Sequence, residues 1–258
     1  MHAAPLVSVV IPMRNEAANI VPLIAEIGIA LGGTAHEIIC VDDGSTDATP
    51  AVLYGIAATG APLRWLRHRA SCGQSAAIVT GVTAARGEWI VTLDGDGQND
   101  PADIPRLLAC AAAPGAAANG AAANGAVMVV GHRVDRQDSW LKRHSSRLAN
   151  VVRACLLGDA TPDSGCGLKV FPRRIFLAFP HFDHMHRFLP ALALRAGATV
   201  LSEPVRHRPR LHGRSNYGTL DRLSVSVLDM IGVAWLQRRG RRPHLEPTDV
   251  AHGGVDQG

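Results

Sequence analysis

Residues 89–98 read WIVTLDGDGQ. Trp89 to Leu93 is a short, mostly apolar run with β-branched members, the pattern of a buried strand, and it stops at Asp94-Gly95-Asp96. Two upstream stretches have the same design. Glu37 to Val41 (EIICV) is apolar and stops at Asp42-Asp43-Gly44-Ser45, and Leu6 to Ile11 (LVSVVI) stops at Pro12-Met13-Arg14-Asn15-Glu16. Helical spacing separates them. Ile20, Leu23, Ile24, Ile27 and Leu31 share one face of a segment from Ala17 to Leu31, Thr46 or Asp47 can cap a helix running to about Ala58, and Gln74 to Ala85 reads as a third helix. With Leu63 to Leu66 as a further strand, the order is that of a mostly parallel α/β sheet covered by helices. Ligands of such sheets bind at the carboxyl ends of the strands, so the three polar tips are expected to converge.

Further along, Val127 to Val130 leads as a strand into Gly131-His132-Arg133, and Val170-Phe171-Pro172 follows a Gly-rich turn. Trp140 to Leu157 reads as a basic amphipathic helix, Phe188 to Arg195 as a helix and Thr199 to Pro204 as a strand. Ala109 to Ala126 is Ala/Gly/Asn-rich and carries no chemistry. The chain is expected to divide into a main domain over 1–218, an amphipathic helix with a polybasic tail over 219–242, and a disordered tail over 243–258. In the second of these, Leu220, Leu223, Val227, Leu228, Ile231, Ala234 and Trp235 fall on one stripe, followed by Arg238, Arg239, Arg241 and Arg242. That combination suits an anionic membrane surface; a helix packed on the body is the plainer alternative.

The chain has 258 residues, 47% of them hydrophobic and 19% charged, enough for a substantial core. The net charge of +4 is concentrated in arginine clusters, at Arg133–Arg153, Arg206–Arg214 and Arg238–Arg242, which suit phosphate-bearing partners. An aromatic content of 4% gives few stacking platforms, which argues against nucleic acid. Five widely spaced cysteines signal neither a zinc motif nor a disulfide framework. The absence of a signal peptide or spanning segment leads to an expected location in the cytoplasm, peripheral on the cytoplasmic face of the membrane.

Asp94, Asp96 and the Gln98 amide can supply half a coordination shell to a hard cation such as Mg2+ or Mn2+, with a diphosphate completing it. A carboxylate of the Asp42-Asp43 pair can meet a base or ribose, and Asn15 and Glu16 can complete a base pocket. Arg14 either stacks on a base, approaches phosphate or is a plain surface arginine. His181, His184 and His186 read as surface histidines rather than a metal site.

In order along the chain stand Pro12-x-x-Asn15-Glu16, Val41-Asp42-Asp43-Gly44-Ser45-x-Asp47, Gly73-x-x-x-Ala77-x-x-x-Gly81 and Asp94-x-Asp96-x-Gln98-x-Asp100-Pro101. After these come Gly131-x-Arg133, Asp163-x-x-Cys166-Gly167-x-Lys169 and Gly213-Arg214-Ser215-Asn216-Tyr217. The set resembles family 2 glycosyltransferases of the GT-A fold, and within them the dolichol- and polyprenyl-phosphate sugar synthases. The resemblance implies a nucleotide-sugar donor, a polyprenyl-phosphate acceptor and a divalent metal held by Asp94, Asp96 and Gln98. It implies that Pro12, Arg14, Glu16, Asp42 and Asp43 line the nucleotide pocket. It further implies that Arg133, Arg143, Arg147 and Arg214 bind phosphates, and that Asp96, Asp163 and Arg133 act in the reaction. Two positions depart from the family pattern: Arg14 where many relatives carry tyrosine, and Asn216 where a lysine is usual. A lipid phosphate is already an anion and needs no base, whereas a saccharide hydroxyl does; the region from Thr161 to Gly167 offers one carboxylate, Asp163. The expected reaction is therefore an inverting transfer of a hexose from GDP-mannose or a UDP-sugar to the lipid phosphate. A saccharide acceptor, a nucleotidyltransferase and a non-catalytic nucleotide- or membrane-binding module are the alternatives. The nucleotidyltransferase is disfavoured because Pro12 to Glu16 lacks the glycines of a phosphate loop.

Overall fold

The computed structural model describes residues 6–113, 125–134, 152–210 and 221–239, with side chains in the last stretch from Val227. In chain order the elements are β1 (Val7–Met13), α1 (Ala17–Ala30), β2 (His36–Asp42), α2 (Thr49–Ala58), β3 (Leu63–Arg67), α3 (Gln74–Ala84), β4 (Trp89–Thr92) and α4 (Ile104–Ala112). Then follow β5 (Val127–Arg133), β6 (Lys169–Pro172), α5 (Arg173–Leu177), α6 (Leu189–Arg195), β7 (Thr199–Val205) and α7 (Asp221–Arg239). Residues 152–157 are also helical, the described end of the expected basic helix.

The strands form one seven-stranded sheet in the order β3-β2-β1-β4-β6-β5-β7. β1, β2, β3 and β4 pair in parallel, as do β5 and β7. β6 runs against both its neighbours. The chain winds outward from β1 to β3 and returns on the other side at β4, which makes the gap between β1 and β4 the switch point where a crevice opens. β6 begins, at Lys169, opposite Thr92 and Val130. The antiparallel insertion thus brings the loop before Lys169 to the same edge as the tips of β1, β2 and β4.

Strand alternation explains why both faces are covered. Val7, Val9 and Ile11 join one core with Ile38, Cys40, Val91, Val127 and Val129, against Ile20, Leu23 and Ile27 of α1 and Ile104 and Leu107 of α4. Val10, Ile39, Val41, Ile90, Met128 and Val130 point the other way, into a core closed by α3, α5 and α6. The period of two that divides one strand between two cores is why the runs are apolar throughout.

The expectation that Pro12 ends the first strand is corrected: β1 continues to Met13, with Pro12 opposite Val41. Val10 accepts from the Leu93 N–H on the β4 side, and Met13 accepts from the Asp43 N–H on the β2 side. Pro12 therefore turns its missing donor toward β4, beyond the last paired residue Val10, a place where proline costs no ladder bond.

α7 departs from the expected single stripe. Val233 and Ala234 are buried against Leu157, Phe188 and Ala191, whereas Val227, Leu228, Ile231 and Trp235 are exposed. The helix docks through one side and leaves an apolar row open. No helix among the described residues is long and apolar enough to cross a membrane.

α3 is pressed hard onto the sheet: a Cβ on Gly81 would sit 2.4 Å from Val10 Cγ1 and 3.2 Å from Val41 Cγ2. Gly81→Ala is expected to destabilise by about 1–3 kcal/mol through overpacking, despite alanine's better helix propensity. Thermal unfolding should show this as a fall of roughly 2–4 °C per kcal/mol.

Candidate functional site

The three polar tips converge as expected. Pro12, Met13, Arg14 and Glu16 from β1, Asp43 from β2, Gln74 from the start of α3, and Asp94, Gly95 and Asp96 from β4 line one cavity of about 160 Å3, together with Arg210. Pro12, Gln74 and Asp94 also line an adjoining recess of about 440 Å3.

The turns behind this cavity are tied by their own polar groups. Asn15 takes a left-handed conformation, φ 58°, one that asparagine tolerates better than most residues. Its N–H donates to Ser45 Oγ at 2.9 Å, and its Oδ1 accepts from Thr46 N at 2.8 Å. Asn15 is thus committed to joining the β1 and β2 turns, and it is not among the cavity-lining residues. Glu16 does line the cavity. Burial raises its pKa, partly offset by a hydrogen bond from Asn19.

The Asp42-Asp43 pair splits. Asp42 is fully buried, accepts from Ser45 N at 2.8 Å and lies 3.1 Å from Arg67 Nε. It shapes the turn and does not reach the cavity, contrary to its expected place in the nucleotide pocket. Asp43 does reach it. Burial alone would raise its pKa, but donations from Cys72 N, His68, Ser71 and Gly73 N hold it below the ordinary carboxylate value. Those four bonds, 2.7–2.9 Å long, fasten the loop that leads into α3.

At the tip of β4, Gln74 Nε2 donates to Asp94 Oδ1 at 2.8 Å, and Arg210 Nη2 to Asp96 Oδ2 at 2.6 Å. Burial, and after it the charge of Asp96, push Asp94 up to about 6. Gly167 lets the carboxyl lie close, since a Cβ there would stand 2.2 Å from Asp94 Oδ2. A buried carboxyl whose ionisation is opposed by a neighbouring carboxylate is suited to a hard divalent cation, whose charge removes that cost. Gln98 stands differently: its N–H caps Asp96 Oδ1 at 3.1 Å, its side-chain amide donates to the Arg208 carbonyl at 3.4 Å, and it is not among the cavity-lining residues.

The adjoining recess is lined by cationic groups. Arg133, at the end of β5, grips Asp163 with Nε to Oδ2 at 2.6 Å and Nη2 to Oδ1 at 2.7 Å, a bidentate pair. Lys169 is buried, its pKa lowered by burial, and it donates to the Cys166 carbonyl. Arg187 lines the recess too. The three histidines do not cluster. His181 is exposed, His184 Nδ1 lies 3.2 Å from Asp229, and His186, expected at the surface, lines the recess. His186 pairs with Ser75 Oγ at 2.8 Å, and burial pushes it down to about 3, so it is neutral.

The family 2 glycosyl transferase model matches residues 8–178, a span that includes both cavities' acidic tips. The chain belongs to glycosyltransferase family 2. The glycosyltransferase is 35% identical to the dodecaprenyl-phosphate galacturonate synthase of Rhizobium johnstonii, over 92% of this chain and 68% of the relative. It is 34% identical to the undecaprenyl-phosphate 4-deoxy-4-formamido-L-arabinose transferase of Edwardsiella ictaluri, over 85% of this chain and 65% of that one. The chain therefore spans about two thirds of these relatives' length. Among solved structures it resembles glucosyl-3-phosphoglycerate synthase of Mycobacterium tuberculosis in complex with Mn2+, UDP and glucosyl-3-phosphoglycerate (TM-score 0.64, 20% identity, 90% of this chain and 80% of that one). It also resembles a mannosyltransferase of Pyrobaculum calidifontis with GDP-mannose and Mn2+ (TM-score 0.61, 19% identity, 93% and 66%). The glycosyltransferase has the GT-A fold of these neighbours.

Arg143, Arg147, Arg214 and Asn216 lie outside the described residues of the glycosyltransferase. Gln74 and Arg187 were not singled out from the sequence, His186 was read there as a surface histidine, and Arg210 stood only as a member of the Arg206–Arg214 cluster. A glutamine opening a helix and an arginine in a basic loop give no local signal; they reach the site through α3 and through the segment after β7, which crosses the Asp94–Gln98 turn with Arg208 N donating to Gln98 O at 2.8 Å.

The raised pKa of Asp94 has a definite sign. A carboxyl whose folded value, about 6, exceeds its ordinary 3.8 costs stability at neutral pH, and the cost disappears as the pH falls below both values. Asp94→Asn keeps an acceptor for Gln74 and removes the charge. In metal-free buffer it is expected to be more stable than wild type by about 1–3 kcal/mol at pH 8, with the gain almost gone near pH 4 in thermal denaturation.

Proposed function

We propose that this glycosyltransferase moves a sugar from a nucleoside-diphosphate sugar to a polyprenyl phosphate, with inversion, at a membrane surface. The observation that carries the acceptor is the composition of the larger recess. Beside Asp94 its carboxylate is Asp163, and both oxygens of Asp163 are taken by Arg133. A hydroxyl acceptor needs a carboxylate turned toward it to take its proton, whereas Asp163 is turned onto the Arg133 guanidinium. A phosphate acceptor is already anionic and needs cations, which Arg133, Lys169 and Arg187 supply. The names of the two relatives, each a polyprenyl-phosphate sugar transferase, support the same acceptor.

In this reading the donor diphosphate lies over Asp94 and Asp96, with Pro12, Arg14 and Glu16 toward the nucleotide, and Asp43 holding the wall that ends in Gln74. The two aspartates, with Gln98 close by in sequence, would hold Mg2+ or Mn2+, which when bound supplies Lewis-acid stabilisation to the leaving diphosphate; the fold neighbours with Mn2+ support this. The acceptor oxygen attacks the anomeric carbon opposite the breaking carbon–oxygen bond, and the nucleoside diphosphate departs. Asp163 keeps Arg133 extended toward the acceptor phosphate, and Arg133 adds electrostatic stabilisation. Arg143, Arg147 and Arg214 are proposed as further phosphate contacts. The base is unassigned between GDP-mannose and UDP-sugars.

The deciding assay incubates the protein with polyprenyl phosphate and a panel of UDP- and GDP-sugars and identifies the glycolipid by mass spectrometry. A lipid product with inverted anomeric configuration is expected, abolished by EDTA and restored by Mn2+. Asp96→Asn is expected to lower the rate by about 10²-fold or more. Transfer to soluble saccharides alone, or a retained configuration, contradicts the proposal.

The division into a catalytic body over 1–218, an interfacial helix over 219–242 and a tail over 243–258 belongs to the same proposal. The open row Val227, Leu228, Ile231 and Trp235, with Arg238 and Arg239 in the last turn, matches a helix lying in the headgroup layer of the cytoplasmic face. Leu228→Glu with Ile231→Glu is expected to lower co-sedimentation with anionic vesicles by at least about tenfold. Transfer to a short-chain, water-soluble polyprenyl phosphate should be little changed. Vesicle binding equal to wild type contradicts the interfacial role.

A further inference from the structure

Beside the acidic cavity stands a second, chemically different cluster. Asp43 closes β2, His68 follows β3, and Cys72 lies in the loop before α3. One ligand atom from each lies within 4.8 Å of the other two. His68 Nδ1 is 2.7 Å from Asp43 Oδ1, and Nε2 is 2.9 Å from Thr80 Oγ1. Cys72 is exposed and free of any disulfide. We propose that Asp43, His68 and Cys72 form a binding site for Zn2+, separate from the carboxylate pair at the tip of β4.

The donor set decides the metal. One thiolate, one imidazole and one carboxylate with a fourth position left to water is a combination zinc takes, whereas Mg2+ and Mn2+ prefer oxygen. Zinc bonds of about 2.0–2.3 Å place neighbouring ligands of a tetrahedral ion roughly 3.3–3.8 Å apart. His68 Nδ1 and Asp43 Oδ1, now 2.7 Å apart, would have to part by roughly half an ångström or more to admit the ion, and rotation of the exposed Cys72 side chain can bring its sulfur to it. Asp43 is already held as a carboxylate by its hydrogen bonds.

The partner behind His68 is also in place. Now Nδ1–H donates to Asp43, and Nε2 accepts from the Thr80 hydroxyl. When zinc takes Nδ1, the imidazole proton resides on Nε2 and donates to Thr80 Oγ1 instead, the outer contact that orients a ligating histidine. Zinc takes Cys72 as the thiolate, and the displaced thiol proton goes to solvent. The ion would link the ends of β2 and β3 to the loop that starts α3, whose Gln74 reaches Asp94. The inference does not depend on the donor or acceptor assigned above.

The test uses the full chain in excess Mg2+, titrated with Zn2+ against a chromophoric chelator while proton release is followed. One zinc per chain is expected, accompanied by proton release as the thiol is taken up. The Asp94→Asn/Asp96→Asn variant should retain it. Cys72→Ser, an exposed and conservative change, should weaken binding by more than about tenfold while transfer with Mn2+ is unchanged. Zinc binding by Cys72→Ser equal to wild type, or its loss from the double aspartate variant, overturns the proposal.

Discussion

The constraint on which the rest depends is the crowding of Asp94 and Asp96 at the end of a buried strand. Burial, and after it the charge of Asp96, make Asp94 costly to ionise, and the structure surrounds the pair with compensating groups. Gln74 donates to one and Arg210 to the other, while Lys169 and Arg133 lower the cost through their charge. Each comes from a different part of the chain: the start of α3, the segment after β7, the start of β6 and the end of β5. Much of the topology, including the reversed β6, serves to bring these to one edge.

The parallel half of the molecule was legible because burial on both faces imposes a simple signature. A strand such as β1, whose seven residues are all buried, carries no charge and only one small polar residue, Ser8, until it leaves the sheet, so its end coincides with the onset of chemistry. Asp43, Glu16, Asp94 and Asp96 were singled out in that way, and the structure places all four on one cavity. Pro12 misled because a proline's effect depends on which neighbour it faces, and that is a property of the sheet order. Asp42 misled because adjacent residues at a strand end point to opposite sides, and sequence alone does not say which one faces the crevice.

The other half was less legible for a related reason. Gln74, His186 and Arg210 come to the site through long-range placement, and none follows a strand that announces it. His186 is the sharpest case. It stands in a loop with two other histidines and reads like surface, yet it lies against Ser75, 111 positions earlier in the chain. Asp163 was visible as the lone carboxylate of its loop, but only the bidentate grip of Arg133 shows that it is occupied.

Ten residues join Arg210, which touches Asp96, to Asp221 at the start of α7. Fully stretched, the eleven steps from Arg210 to Asp221 reach no more than about 36–40 Å. The strap over the acidic turn and the helix with the open apolar row are therefore moored to each other. Since α7 is also docked through Val233 and Ala234 against Phe188 and Ala191, the open apolar row holds its station on the same body as the carboxylates.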